Sequence, residues 1–328
     1  VQDTRYVANP TSGEVALDAY NSGTITNTLT MVGALTITKE VKDASGESYD
    51  QTFTFDVTNE KNVTVRATVT VKVTDGKGEA TTTVSNLPHG EYTVTEVLTN
   101  DLRNAWTTEE AKDVTVSDAT AKVSFTNTRK LFNNGEGKYT VTKVWQNMIS
   151  GETAPSLKVT LTRSGGKTYE TMLTEANAEA NGSWTHTFVN LPAYSPDGTT
   201  EYRYTAEETV PAGYKKANEV FTDTSATFTN EPNTTSVIVD KVWNDGGDEF
   251  KLRPNAANFK EKLTLERSID GETWDAYTAT VTAVDDEDNT YAVTYSGLPT
   301  YDAQGNKYQY QVTESTVDFY KDGVIDLS

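Results

Sequence analysis

The sequence predicts an all-β protein built of tandem β-sandwich domains, and three observations carry that prediction. Threonine occupies 57 of the 328 positions, and so much of a β-branched residue favours pleated strands over helix interiors. Apolar and polar residues alternate with period two through many short segments, as in strands with one buried face. Those segments return as a set at a spacing near one hundred residues, too long for a solenoid and suited to a sandwich domain.

Composition narrows the function. Acidic residues number 48 and basic residues 28, a net charge of −20, which repels nucleic acid and anionic membrane surfaces. The hydrophobic fraction of 35% is lean for one large core and adequate for several small ones. Aromatic residues reach 10%, 17 of them tyrosine, which argues against disorder. With no cysteine, disulfides, thiolate zinc sites and cysteine nucleophiles are excluded. The two histidines, His89 and His186, stand alone in a turn and a strand and read as structural. No metal or cofactor is expected. No run of 18 apolar residues marks a membrane helix. The start, Val-Gln-Asp-Thr, lacks Met and an apolar signal core, so the expectation is a mature chain or a fragment.

Each element of the repeat can be justified in turn. The first strand reads Leu35-Thr-Ile-Thr-Lys39-Glu-Val41, then Val141-Thr-Lys143-Val-Trp145, then Val239-Asp-Lys241-Val-Trp243, with the lysines 104 and 98 residues apart. A turn follows later, as Asn86-Leu-Pro-His-Gly90, Asn190-Leu-Pro-Ala-Tyr194 and Gly297-Leu-Pro-Thr-Tyr301, where proline and its neighbours punctuate the chain. Next comes a strand ending in glutamate: Glu91-Tyr-Thr-Val-Thr-Glu96, Tyr204-Thr-Ala-Glu-Glu208 and Tyr310-Gln-Val-Thr-Glu314. A closing strand ends two of the repeats, Val123-Ser-Phe-Thr-Asn127 and Ala226-Thr-Phe-Thr-Asn230. The expected domains are therefore 31–129, 138–231 and 234–328, the last without a closing strand. Residues 1–30 contain Gly23-Thr-Ile-Thr-Asn27 and are expected to be a partial closing segment of a preceding repeat or a donor strand. The short linkers predict a stiff, rod-like array.

Alternation places the polar residues. Successive side chains of a strand point to opposite faces, so Lys39, Lys143 and Lys241 fall on the apolar rows of their strands, as do Glu96, Glu208, Glu314, Asn127 and Asn230. Glu207, beside Glu208, falls on the opposite row, as Lys42 does in the first repeat. Each complete repeat thus aims one Lys, one Glu and one Asn at its core, and burying such groups is costly unless they are paired. One reading is a buried Lys–Glu ion pair completed by Asn. The other is covalent: burial lowers the lysine pKa and raises that of the glutamic acid. The neutral amine then attacks the Asn carbonyl while the carboxylic acid moves protons and ammonia leaves. Proximity in the fold raises the effective concentration to about 10⁵ M or more. Physics leaves both readings open.

The Val-Thr-Lys-Val-Trp start, the Asn-Leu-Pro turn, the Tyr-Thr-Val-Thr-Glu strand and the Phe-Thr-Asn end together resemble the Cna B-type domains of Gram-positive surface adhesins and pilins, across residues 31–328. The resemblance implies immunoglobulin-like sandwiches with self-generated isopeptide bonds. Carried over by position, it implies a cross-link between Lys39 and Asn127 with Glu96 as catalyst, and between Lys143 and Asn230 with Glu208. The third repeat matches at Lys241 and Glu314 and has no Asn in its own segment; Asn27 from the N-terminal strand of a neighbouring molecule is the candidate partner. The first repeat departs by carrying Val41 where the others have tryptophan.

The expected function is structural, the stalk of a cell-wall-anchored adhesin or the shaft of a pilus on a Gram-positive surface. No enzyme activity is expected beyond the self-directed bond. The alternative is a ligand-binding adhesin module for a host matrix protein. Expected partners are a host surface protein and another copy, through self-association of the N-terminal strand with the third repeat. Two acidic stretches, Asp285-Asp-Glu-Asp-Asn289 and Asn244-Asp-Gly-Gly-Asp-Glu249, lack calcium-loop spacing and read as solvated loops.

Overall fold

A computed structural model describes residues 6–9, 26–279, 281–287, 290–302 and 304–321. Its contacts gather into two compact units. One comprises Val1–Tyr139, Arg163–Gly166 and Phe188–Tyr204; the other comprises Thr140–Thr162, Lys167–Thr187 and Thr205–Ser328. The fold is all-β, an array of immunoglobulin-like sandwiches.

The chain opens with a small antiparallel pair, β1 (Tyr6–Asn9) and β2 (Thr26–Leu29). The first sandwich follows with β3 (Val32–Lys42), β4 (Tyr49–Asn59), β5 (Thr64–Val73), β6 (Lys77–Pro88), β7 (Gly90–Val97), β8 (Lys112–Val116) and β9 (Ala121–Thr128). One sheet has the order β6-β3-β9 and the other β5-β4-β7-β8. Leu35, Ile37 and Val41 of β3 meet Phe53, Phe55 and Val57 of β4, with Val94 and Phe125, in a core closed to solvent. Each such side chain contributes roughly 1.5–3 kcal/mol through burial. Threonines fill the outward rows and pair across strands, Thr52 with Thr70 and Thr58 with Thr64 at 2.8 Å. A short helix, α1 (Asn100–Ala105), is capped by the Thr99 hydroxyl, which accepts from Leu102 N at 3.2 Å.

The second set of strands is β10 (Tyr139–Trp145), β11 (Leu157–Arg163), β12 (Thr168–Leu173), β13 (Trp184–Phe188), β14 (Tyr204–Glu208), β15 (Tyr214–Phe221) and β16 (Ser225–Pro232), in sheets ordered β13-β10-β16-β15 and β12-β11-β14. The third is β17 (Thr234–Val242), β18 (Leu263–Ser268), β19 (Asp275–Ala276), β20 (Val281–Glu287), β21 (Thr290–Pro299) and β22 (Gln309–Glu314), in sheets ordered β17-β21-β20 and β19-β18-β22. Trp243, Phe259, Leu265, Tyr291, Val293 and Leu298 form its core.

The first unit reaches past the first repeat because polar bonds hold residues 188–204 to it. Arg129 follows β9 and is buried, donating to Asp43 Oδ2 at 2.8 Å and to the Tyr194 carbonyl. Trp106 Nε1 donates to the Pro196 carbonyl at 2.8 Å. Leu131 bridges Pro192, and Phe132 N donates to Leu191 O at 2.8 Å. The linker from 130 to 137 is therefore pinned along its backbone.

Candidate functional site

First and last strands pair in parallel, and the register is the same twice. On β3 and β9, Lys39 lies opposite Phe125 and Val41 opposite Asn127. On β10 and β16, Lys143 lies opposite Phe228 and Trp145 opposite Asn230. Each asparagine is thus the same-face neighbour one step beyond the lysine's partner, a diagonal of about 7–8 Å that a long side chain spans. Glutamate arrives from the facing sheet, on β7 or β14, so the triplet bridges the sandwich core.

Lys39 Nζ lies 2.7 Å from Glu96 Oε1, with both side chains 0% exposed. Asn127 Nδ2 donates to the same Oε1 at 3.0 Å. Lys143 Nζ donates to Glu208 Oε2 at 2.8 Å, again with both side chains 0% exposed. Aromatic rings floor the ammonium groups: Phe53 at 4.5 Å from Lys39 and Trp145 at 4.7 Å from Lys143. Burial pushes the pKa of both lysines below the ordinary 10.5, against the opposing pull of the paired glutamates. The carboxamides are poorly satisfied. Asn127 Oδ1 and both polar atoms of Asn230 are buried without a hydrogen-bond partner in the protein, a cost of about 1–3 kcal/mol for each group. Glu207 is exposed and Glu208 buried.

The third repeat pairs its lysine and glutamate in a more open setting. Lys241 Nζ lies 2.8 Å from Glu314, with side chains 16% and 19% exposed, and Trp243 sits 4.9 Å beneath the ammonium. Among the described residues β17 has β21 as its neighbour on one side only. Asn27 is exposed on β2, opposite Ala8.

A positioning device recurs beside all three pairs. Asn86, Asn190 and Gly297, each just before Leu-Pro, adopt φ of 59°, 58° and 72°, a left-handed conformation that Asn tolerates and Gly adopts freely. The proline carbonyl of that turn accepts a tyrosine hydroxyl: Tyr92 to Pro88 at 2.9 Å, Tyr204 to Pro192 at 2.8 Å and Tyr310 to Pro299 at 2.6 Å. Each tyrosine precedes its glutamate by four residues on the same row, so the bond holds the glutamate strand in register with the lysine. Sequence reasoning placed the turn and missed this role. The constant Tyr–Glu spacing was the available signal.

The remaining candidates make local contacts. His89 Nε2 makes a long 3.3 Å contact with Asp118 Oδ1, and burial pushes the His186 pKa down. Asp245 is engaged by Arg253 Nε and the Tyr320 hydroxyl, both at 2.7 Å. In the other acidic stretch, Asp288 and Asn289 lie outside the described residues. Among the described residues no cluster of three or more His, Asp or Glu could hold a metal, and no helix is long and apolar enough to cross a membrane.

Comparison with known proteins adds independent findings. The family model of the Cna protein B-type domain matches residues 139–231 and 237–327, and that of a domain of unknown function matches 35–130. A collagen adhesin of Staphylococcus aureus is 31% identical over 219 residues, covering 65% of this chain and 17% of its own length. The chain thus spans about a sixth of that relative. Among solved structures, two B repeat units of the Staphylococcus aureus collagen binding protein align at 26% identity and TM-score 0.29, covering 87% of this chain and 69% of that one. The major pilin of Streptococcus pyogenes aligns at 14% and 0.38, covering 61% and 98%. The TIE protein of Bacillus anthracis aligns at 17% and 0.38, covering 89% and 49%.

Proposed function

The chain belongs to the Cna protein B-type domain family, and on that premise we propose that it is a structural segment, the stalk of an adhesin or the shaft of a pilus, held at the cell-wall surface of a Gram-positive bacterium. Its repeats, 31–129, 138–231 and 234–328, are the load-carrying domains. The observation that carries this reading is the repeated triplet: a dry Lys–Glu pair beside a buried asparagine with unsatisfied carboxamide atoms, in one register on two pairs of strands.

In the first repeat the neutral amine of Lys39 attacks Cγ of Asn127. The Glu96 carboxyl protonates the carbonyl oxygen, relays the amine proton to the departing nitrogen, and recovers its own proton from the oxygen as the carbonyl re-forms. The C–N bond of the carboxamide breaks and ammonia leaves, so an amide replaces an amide with no oxidant or reductant. Lys143, Asn230 and Glu208 act alike in the second repeat. The bond joins first strand to last, so tension bypasses the core.

The intact mass of the denatured chain tests this reading. A deficit of two ammonia molecules is expected, with branched peptides joining 39 to 127 and 143 to 230. The unmodified mass would overturn it.

The second reading, a module gripping a host matrix protein, draws on the relative named as a collagen adhesin. Saturable binding of the full chain to immobilised matrix proteins would favour it. Self-association through the strand bearing Asn27 and the one-sided edge of β17 is a further part of the proposal. A strictly monomeric species at high concentration would contradict that part.

A further inference from the structure

Two places in the chain repeat a polar arrangement that the cross-linking chemistry leaves unused. In the first compact unit, Arg163 at the end of β11 donates to Glu47 Oε1 at 2.5 Å, and its guanidinium lies 3.9 Å from the Tyr202 ring centroid. In the second unit, Arg267 of β18 donates to Glu152 Oε1 at 3.1 Å and lies 4.5 Å from the Tyr308 ring, with Tyr277 at 4.4 Å. An arginine that stacks on a phenol ring while it pairs with a carboxylate is oriented as well as charged.

The two sets occupy equivalent positions. Glu47 stands eight residues after Lys39, and Glu152 nine after Lys143, each in the loop that leaves the lysine strand. Tyr202 and Tyr308 each stand six residues before the paired glutamate, and both arginines precede a serine. The acid therefore comes from one repeat, and the arginine and tyrosine come from the repeat that follows. Strand register identifies the counterparts in the first repeat. Arg267 lies opposite Tyr310 as Asn59 lies opposite Tyr92, and Gly90 takes the place of Tyr308. The first repeat thus carries the acid and lacks the receptor.

The third repeat carries the acid as well. Glu249 stands eight residues after Lys241 and is exposed, beside Phe250 at 81% and Leu252 at 43% exposure. We propose that Glu249 is the acceptor half of the same latch, and that the surface around it docks a further repeat through an arginine stacked on a tyrosine. Charge selects that partner: the loop is acidic, with Asp248 beside Glu249, and the two completed latches each bring a guanidinium to this position. The latch acts on orientation between repeats, so it stands whether or not the cross-links form.

Hydrogen exchange on the full chain tests it in two steps. Glu152→Arg and Arg267→Glu singly should speed exchange in the loop at 149–153 by about three- to tenfold, and the double reversal should return it toward the wild-type rate. A double variant no slower than the singles would overturn the latch. The chain is then extended at its C-terminus by a second copy of residues 132–231, which brings another Arg–Tyr pair. Exchange at 245–253 should slow on extension, and Glu249→Arg should undo the slowing. Equal exchange with and without the extension would overturn the role of Glu249. Ammonia loss, read by mass on the same samples, separates a failed latch from a failed cross-link.

Discussion

Lys39 and Lys143 lie between two strands each, whereas among the described residues Lys241 sits on a strand flanked on one side. The ion pairs are the same length, 2.7 to 2.8 Å. Exposure differs: 0% for the first two pairs, 16% and 19% for the third. Two facing sheets therefore suffice to bring lysine and glutamate together, and a parallel closing strand is what makes the pair dry. That strand also carries the asparagine, so the same element supplies the low-dielectric surroundings and the buried carboxamide.

The largest test of this contrast is removal of the amine. Lys39→Ala should destabilise its repeat by about 3–5 kcal/mol by stranding the Glu96 carboxylate, in addition to losing any cross-link. Lys241→Ala should cost about 1 kcal/mol or less, because its partner remains partly hydrated. Urea midpoints that fall equally would break the comparison. Next comes the carboxamide. Asn127→Ala keeps the ion pair and removes the proposed bond, an expected loss of about 4–5 kcal/mol for a loop near a hundred residues. The heat-denaturation midpoint and the recovered ammonia should change together.

A smaller effect is expected at the tyrosine anchors. Tyr204→Phe deletes one buried hydroxyl bond to Pro192 and should cost about 1 kcal/mol. If the anchor sets register, that variant should also slow ammonia loss in the second repeat and leave the first unaffected. The smallest effect is a pH slope. In Asn230→Ala the folded-state pKa of Lys143 stays below 10.5 because of burial. Between that value and 10.5 the unfolded chain binds more protons, so stability should rise with pH in that window and be flat in this respect below it. A fall in the urea midpoint across the window would contradict the buried, uncharged amine.

Much of this was legible in the residues. Period-two alternation put Lys39, Glu96 and Asn127 on inward rows, and burial in the structure follows those rows. Glu208 could be separated from Glu207 by parity alone. Other features were not legible, because they depend on partners distant in sequence. The Tyr92 hydroxyl finds the Pro88 carbonyl only once the turn takes its left-handed residue. Arg129 reads as an ordinary residue after a strand, yet it is buried against Asp43, Tyr49 and Trp106. The segment 130–137 read as a linker because its asparagines and glycines are turn formers. Its backbone bonds to residues near 191 gave no local signal.

The enclosure of Arg129 also has a consequence for the order of events during synthesis. The first compact unit takes in residues as far as Tyr204, well beyond the end of β9 at Thr128. A chain emerging N-terminus first can pair β3 with β9 as soon as residue 128 is free. The carbonyl of Tyr194, which receives the Arg129 guanidinium, and that of Pro196, which receives the Trp106 indole, arrive only later. During that interval the base of the first sandwich is open and its arginine is hydrated. Closure of its base thus waits for residues 194 and 196.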